Sequence, residues 1–328
     1  MSPSLQSQQK SFFFKINYAL GIVCLWAAVI KCVYAEEIKD TNLLIKTSES
    51  QVEAFNSQQK KESPLRTVGI DRANFPNSAY TLLQGDFILE VNPVGSTGAY
   101  LKFPSTVNLG GYLVRYGLID RIELRLISNG YTETTNYIHE TYPLNINTTY
   151  HTYGFNPLNF DTKIHLWDER SAYHLPAAGF EFQWQSNVLA SASRQGPTEP
   201  NFSLNFDQQL PFDIGFEYNI GIQRLSGQGG IGYQPWRPLA SWSFQHDIVK
   251  DLAFFVNGRY NDLNLPAVSE SINNIIITHR AITNSPHMVG AGMAWTVNDY
   301  IGIYWNAAAG VTSSSPAYQV YTGFAWTP

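Results

Sequence analysis

The sequence has 328 residues and a formal net charge of −5, and charged residues make up 14% of it, against roughly 25% in typical soluble domains. This composition excludes a disordered chain, and the lack of a basic run excludes nucleic acid as a partner. The mean hydropathy of −0.18 excludes a bundle of transmembrane helices, but not a membrane β-barrel, in which apolar and polar residues alternate.

The first 35 residues are typical of a secretory signal peptide. Two lysines precede an apolar run over 16–30, and small residues end at Ala35, where a signal peptidase would cleave. The alternative, a membrane anchor helix, is less favoured because Lys31 interrupts the run before the ~20 residues needed to span. Both cysteines, Cys24 and Cys32, lie in this segment. The predicted mature chain therefore has no disulfide, cysteine nucleophile or cysteine metal site.

The remainder divides into two predicted regions. Residues 36–66 are rich in Glu, Lys, Ser and Gln, with few aromatics. We therefore predict a signal peptide at 1–35, a periplasmic lead-in or plug segment at 36–78, and an outer-membrane β-barrel at 79–328.

From about residue 85 onward, apolar and polar residues alternate with a period of two. In the clearest stretch, one face carries Phe212, Ile214, Phe216, Tyr218, Ile220 and Ile222. A helix would scatter these residues around its circumference, so the pattern predicts strands. The candidate strands cover 84–92, 108–117, 120–128, 157–167, 178–189, 201–208, 211–224, 238–246, 251–261, 287–297, 299–311 and 316–327. Twelve strands give the even number that a single-chain bacterial outer-membrane barrel requires.

The lengths of the connections favour an up-and-down barrel with its N-terminus in the periplasm. Short turns are predicted at 118–119, 209–210, 247–250 and 298, and long loops at 93–107, 129–156, 225–237 and 262–286. Two connections depart from this alternation, since 168–177 is long and 312–315 is short. A soluble β-sandwich is the alternative, but its polar faces usually carry Lys and Glu, whereas these carry Gly, Asn, Gln and Ser, as a crowded lumen would.

Three stretches resemble a known family. They are residues 69–78 (GIDRANFPNS), 84–90 (QGDFILE) and 113–125 (LVRYGLIDRIELR). They are similar to the phenol-degradation (meta-pathway) outer-membrane proteins, and the resemblance extends over about 69–328. It implies an outer-membrane transporter for small molecules, with apolar or aromatic compounds among them. The chain departs from the family in having Ala73 after the Asp-Arg pair and Pro328, rather than an aromatic, at its end.

Charged residues on the predicted inward faces are candidate site residues. They are Glu90, Arg115, Arg121, Glu123, Arg125, Asp161, Lys163, Glu181, Asp213, Glu217 and Arg259. They form either a constriction that selects solutes or a structural network that neutralises itself and fixes strand register. In the N-terminal motif, Asp71 and Arg72 either fold into the barrel mouth and pair with lumen residues or belong to a periplasmic tether.

Outward aromatics are candidates for the interfacial girdles that border the bilayer: Tyr112, Tyr116, Trp184, Trp242, Tyr260, Trp295 and Trp326. The expected partners are outer-membrane lipid, a small-molecule solute and the barrel-assembly machinery. No cofactor is predicted, and no metal site, because the histidines lack metal-ligand spacing.

Twelve strands predict a narrow or partly plugged passage. The alternatives are a non-conducting structural or receptor barrel, and a membrane-embedded lipid hydrolase with His246 or His287 as base. No Gly-x-Ser-x-Gly elbow supports the hydrolase.

Overall fold

The computed structural model describes residues 62–98, 105–140, 146–186, 188, 199–224, 236–260, 271–272, 275–276, 287–312 and 315–328. The predicted signal peptide and most of the lead-in lie outside these residues. Within them, no helix has both the length and the apolar character to cross a membrane.

The fold is a closed antiparallel barrel of twelve strands. The strands are β1 (Phe87–Gly98), β2 (Ser105–Ile119), β3 (Ile122–Ser128), β4 (Tyr131–Glu140), β5 (Ile146–Phe155), β6 (Asn159–Trp167), β7 (Ala177–Gln185), β8 (Glu199–Leu210), β9 (Ile214–Arg224), β10 (Trp236–Val249), β11 (Leu252–Tyr260), β12 (Ser271–Ile272), β13 (Ile275–Ile276), β14 (His287–Thr296), β15 (Ile301–Gly310) and β16 (Tyr318–Trp326). Twelve of these sixteen strands form the barrel, and the other four are β4, β5, β12 and β13. Sequential barrel strands pair with one another, and β1 pairs with both β16 and β2, which closes the sheet. A helix, α1 (Pro64–Thr67), precedes the barrel.

All twelve predicted strands are present, but the predicted loop at 129–156 is wrong in one respect. It contains the hairpin β4–β5, whose first strand pairs with the far end of β2 beyond Gly130. Gly130 has a φ of 70° and its amide nitrogen donates to Ser128 Oγ over 3.1 Å, so the chain turns here and β3 and β4 are separate strands. The hairpin was missed because its residues are polar and Thr-rich, without the apolar alternation of a lipid-facing strand. The short strands β12 and β13 likewise lie within the predicted loop at 262–286.

Two predicted turns are displaced. Residues 209–210 belong to β8, and the turn lies at Pro211–Asp213. Phe212, predicted to begin the outward face of a strand, is 88% exposed and has a φ of 67°. Similarly, β10 extends to Val249, so that its turn begins at Lys250. Strand alternation fails here because a turn residue has no partner that fixes its face.

The burial pattern is inverted relative to a soluble protein. In β15, Ile301, Ile303 and Trp305 are exposed, whereas Tyr304 and Asn306 are buried. The predicted girdle aromatics Tyr116, Tyr260, Trp295 and Trp326 are also exposed on the outer surface, and Tyr112, Trp184 and Trp242 are half-buried. An apolar exterior around a polar interior is the arrangement expected of a barrel in lipid. Assignment of these aromatics to a girdle stays a prediction.

Candidate functional site

The chain before β1 folds into the barrel lumen. We call residues 62–86 the plug segment. It begins at the end of the barrel that carries the short turns, where Ser63 Oγ donates to the carbonyl oxygen of Asp299 over 2.5 Å. Ser63 also caps α1 by accepting from the amide nitrogen of Leu65. Arg66 pairs with Asp251 and, at 3.0 Å, with Asp299, which fixes the segment to two short turns.

Contacts around the whole interior show that the plug segment crosses the lumen. The carbonyl oxygen of Ala73 accepts from Asn306 Nδ2 over 3.2 Å, on β15. Asn77 donates from Nδ2 to both carboxylate oxygens of Glu181 at 2.9 Å, on β7. The segment returns to the short-turn end, where the amide nitrogen of Gln84 donates to Asp120 Oδ1. The described part of the predicted lead-in or plug, 62–78, thus lies inside the barrel.

Charged residues from the plug segment and five neighbouring strands form one buried group. This charged cluster comprises Asp71, Glu90, Arg115, Glu123, Arg125, Asp161, Lys163 and Glu181. The Arg115 guanidinium donates to both oxygens of Glu123 at 2.7 and 3.1 Å, and to Glu90 at 3.3 Å. This bidentate geometry is the strongest form of an arginine–carboxylate pair.

Arg125 is the second centre of the charged cluster. Its Nη1 lies 3.0 Å from Asp161 Oδ2 and 3.0 Å from Glu181 Oε1, while its Nη2 lies 3.2 Å from Asp71 Oδ2. Its guanidinium is almost completely buried. A buried cation among three carboxylates is tolerated only while these partners remain, because removing either sign leaves an uncompensated charge.

Asp71 joins the plug segment to the cluster. It pairs with Lys163 Nζ at 2.7 Å, with Arg125 at 3.2 Å and with Arg115 at 3.4 Å. The adjacent backbone is held too, since Glu90 accepts from the amide nitrogens of Asp71 and Arg72 at 3.1 and 2.7 Å. The expectation that the motif folds into the barrel and pairs with lumen residues therefore agrees with the observed contacts.

The Arg72 side chain is not part of the charged cluster and donates to neutral acceptors. Its Nε donates to Asn92 Oδ1, and its Nη1 donates to the carbonyl oxygen of Tyr112 over 3.0 Å. It therefore fixes the plug segment to β1 and β2 without a salt bridge among the described contacts.

Two further carboxylates bind the plug segment through neutral donors. Asp207 Oδ2 accepts from Ser78 Oγ over 2.6 Å and from the amide nitrogen of Ala79 over 3.0 Å. Glu217 accepts from Asn74 Nδ2 over 2.9 Å. Asp207 and Glu217 are register partners on β8 and β9.

Close approach of the plug segment to the wall requires glycine at two positions. A Cβ at residue 117 would lie 1.9 Å from the carbonyl oxygen of Leu83, and a Cβ at residue 179 would lie 2.7 Å from that of Ala79. Any side chain at Gly117 or Gly179 would therefore displace the plug backbone.

Most of the predicted lumen residues lie where the alternation placed them. Glu90, Arg115, Glu123, Arg125, Asp161, Lys163 and Glu181 are in the charged cluster. Glu217 and Arg259 also face the lumen but are not part of the charged cluster. Arg259 stacks on the Phe75 ring of the plug segment, 4.6 Å from its centroid.

Two of the predicted lumen residues are wrong. Arg121 lies in the turn before β3, its side chain is 58% exposed, and its described ion pair is with Asp168 at 4.0 Å. Asp213 lies in the exposed turn after β8. Both were assigned by extending the alternation past the end of a strand, where it no longer holds.

Asp207 was missed, although it continues the same polar face as Ser203 and Asn205 and could have been found from that alternation. The plug residue Asn77 gave no such signal. Its role depends on contacts with strands more than one hundred residues away in the chain.

The two histidines of the hydrolase alternative lie on different strands. The His246 ring contacts the carbonyl oxygen of Asp213 at 3.2 Å and is exposed. His287 begins β14, and its backbone nitrogen donates to Ser315 Oγ over 2.8 Å. Across the described part of the chain, no three or more His, Cys, Asp or Glu side chains are grouped as a metal site would need.

A cavity lies between the plug segment and the long-loop end of the barrel, and we call it the vestibule. It has a volume of about 200 Å³. Asn74, Phe75 and Asn77 of the plug segment line one side, and the far halves of the strands, including Asn108 and Gln183, line the rest.

The docking of the plug segment is expected to weaken in acid. Burial alone raises the pKa of Asp71, but the charges of Arg115, Lys163 and Arg125 outweigh it and hold the pKa below the ordinary value of about 3.9. The carboxylate of Glu90 also contacts Asp71, by accepting a hydrogen bond from its backbone amide. Because the pKa is lower in the docked state, the Asp71 contribution is complete above pH 4 and is lost as the pH falls further.

Recording single channels in lipid bilayers from pH 7 to pH 3 measures this effect, with conductance expected to increase below about pH 4. The Asp71→Asn variant should lose that component of the pH dependence. An identical acid response in the variant would show that other carboxylates control the docking.

Comparison with known proteins places the fold. No family model matches the sequence, and no curated protein matches it. An outer membrane channel from Pseudomonas putida F1 is similar in structure, with a TM-score of 0.50 and 9% identity over 77% of this chain and 99% of that chain. The CymD monoaromatic hydrocarbon channel has a TM-score of 0.37 and 9% identity, covering 81% and 97% of the two chains. An active-site mutant of outer membrane phospholipase A from Escherichia coli has a TM-score of 0.33 and 10% identity, over 78% of this chain and 95% of that chain.

Only the Pseudomonas putida channel, among these three, is similar enough to support a shared fold. The chain is thus an antiparallel twelve-stranded β-barrel of the outer-membrane type. Because no family model matches the sequence, the resemblance to the phenol-degradation outer-membrane proteins stays a prediction.

Proposed function

We propose that this protein is an outer-membrane channel that allows passive passage of small molecules. The observation that carries the proposal is the lumen, in which polar and charged side chains and a cavity of about 200 Å³ are enclosed by an apolar outer face. An interior filled for stability alone would not need an open polar cavity.

The proposed mechanism is diffusion without a cofactor. Polar side chains in the lumen replace part of the hydration of a passing solute. The side chains of the charged cluster are paired with one another, so the role of the cluster in this mechanism is to hold the plug segment and narrow the passage. The plug segment would then set the size limit.

The remaining sequence-based expectations belong to the same proposal. The chain would be exported through a cleaved signal peptide, inserted by the barrel-assembly machinery and embedded in outer-membrane lipid. The family resemblance implies apolar or aromatic solutes, but the lining of the vestibule favours a different class, as argued below.

Planar-bilayer recording of the purified full-length protein tests the proposal. We expect reproducible single-channel steps that are absent when detergent alone is added. Silence over repeated insertions would contradict passage and favour the alternative of a non-conducting structural or receptor barrel.

The hydrolase alternative predicts release of fatty acid from phospholipid vesicles. We expect none above background, and no difference between the wild type and the His246→Ala and His287→Ala variants. Release that either substitution abolishes would favour the enzyme.

A further inference from the structure

The vestibule is lined mainly by neutral side chains that both donate and accept hydrogen bonds. Among them are Asn92, Asn108, Gln183, Asn201, Ser241 and Gln319, from six different strands. Its plug side adds Asn74 and Asn77. Amides and hydroxyls on opposing walls match a solute that carries several hydroxyl groups, each of which can donate and accept.

The charged side chains at the edge of the vestibule are already engaged by other protein groups. Arg125 is paired with Asp71 and Glu181. Arg72 donates to Asn92 and to a backbone oxygen. Arg259 donates to Gln319 and stacks on a plug-segment ring. Binding an ion would require these contacts to break, so the vestibule favours a neutral solute.

Two amide oxygens of vestibule-lining residues lack a hydrogen-bond partner among the described residues. They are Asn74 Oδ1 and Asn201 Oδ1, and both atoms are buried. The Asn201 amide is oriented by its Nδ2, which donates to Gln183 Oε1 over 3.3 Å. An apolar solute would leave both oxygens unpaired, which carries the cost of a desolvated polar group.

The vestibule also has small apolar surfaces, supplied by Leu239 and Val320 beside Tyr260. Such surfaces suit the C–H faces of a sugar or polyol, while the amides contact its hydroxyls. The volume of about 200 Å³ is many times the roughly 10–15 Å³ that one water needs, so there is room for a small organic molecule.

We propose that the vestibule binds a small neutral polyhydroxylated solute, of the monosaccharide or polyol class. The proposal rests on the proposed function, because it names the class of solute that passes. It differs from the apolar or aromatic class implied by the family resemblance.

Saturation-transfer NMR on the detergent-solubilised full-length protein tests binding without requiring passage. We expect transfer to glucose and glycerol, and weaker transfer to gluconate, benzoate and toluene. The Asn201→Leu variant removes the amide at similar volume and should weaken glucose binding roughly fivefold, the effect of losing about one hydrogen bond. Gln183→Met, in contact with the same amide, serves as a second variant should the first fail to fold.

Asn159→Leu is the matched control. Asn159 Oδ1 is also buried and has no partner in the described part of the chain, but the residue does not line the vestibule, so glucose binding should be unchanged. Stronger transfer to benzoate or toluene than to glucose would overturn the proposal, as would equal loss in the control variant.

Swelling of protein-containing liposomes separates this proposal from the proposed function. Faster swelling in glucose than in sodium gluconate supports both. Passage without that preference overturns the solute class alone, whereas glucose binding by NMR without any swelling overturns the channel and leaves the binding site.

Discussion

Deletion of residues 36–78 is expected to raise the single-channel conductance severalfold. The deletion removes the part of the plug segment that spans the lumen from Asn306 on β15 to Glu181 on β7. It also removes the contacts of Asp71 with the charged cluster. Because all barrel strands lie after residue 78, the sheet that closes the barrel keeps its pairing.

A disulfide tether gives the complementary test. A Cβ at position 302 would lie 3.6 Å from Ile70 Cγ1, the position that the sulfur of a cysteine at 70 would take, so we expect this cysteine pair to form a disulfide. The I70C/G302C variant should keep low conductance at acid pH until a reductant is added. Equal conductance in the deletion variant, the tethered variant and the wild type would show that the plug segment does not limit passage.

Replacing Arg125 by Met is expected to destabilise the barrel by about 3–5 kcal/mol, the usual cost of removing one partner from a buried ion pair. The substitution leaves Asp71, Asp161 and Glu181 without the cation that lies 3.0–3.2 Å from each. Thermal unfolding in detergent, followed by the loss of heat-modifiable gel mobility, measures the change.

Arg121→Met is the matched control for this variant. Arg121 carries the same charge four residues earlier, but its side chain is 58% exposed and its partner is 4.0 Å away. An exposed pair of this kind contributes less than about 1 kcal/mol, so little change is expected. Equal destabilisation by both substitutions would mean that loss of positive charge in general, rather than the buried cluster, determines stability.

The sequence pattern does not distinguish these two arginines. Both were predicted to face the lumen, because both lie on the polar side of the stretch 120–128. Arg125 lies inside β3 and is buried, whereas Arg121 precedes the strand and is exposed. The difference depends on which residue begins the hydrogen-bonded ladder, and the alternation does not mark that residue.

The amino-acid pattern alone was enough to predict the twelve barrel strands and the faces of most residues within them. This was possible because successive side chains of a strand point to opposite sides, so a barrel between lipid and a polar lumen repeats every two residues. The alternation therefore predicted correctly that Ile303 faces outward and Asn306 faces the lumen.

The filling of the barrel interior, in contrast, became visible only in the folded protein. Asp71 meets Lys163 across 92 positions of the chain, and Ala73 meets Asn306 across 233. No local period encodes such pairs, because they form only when the closed sheet brings its opposite walls within reach of one irregular segment. The hairpin β4–β5 was hidden for a related reason: it extends past the lipid-facing wall, so no apolar surroundings required alternation in its residues.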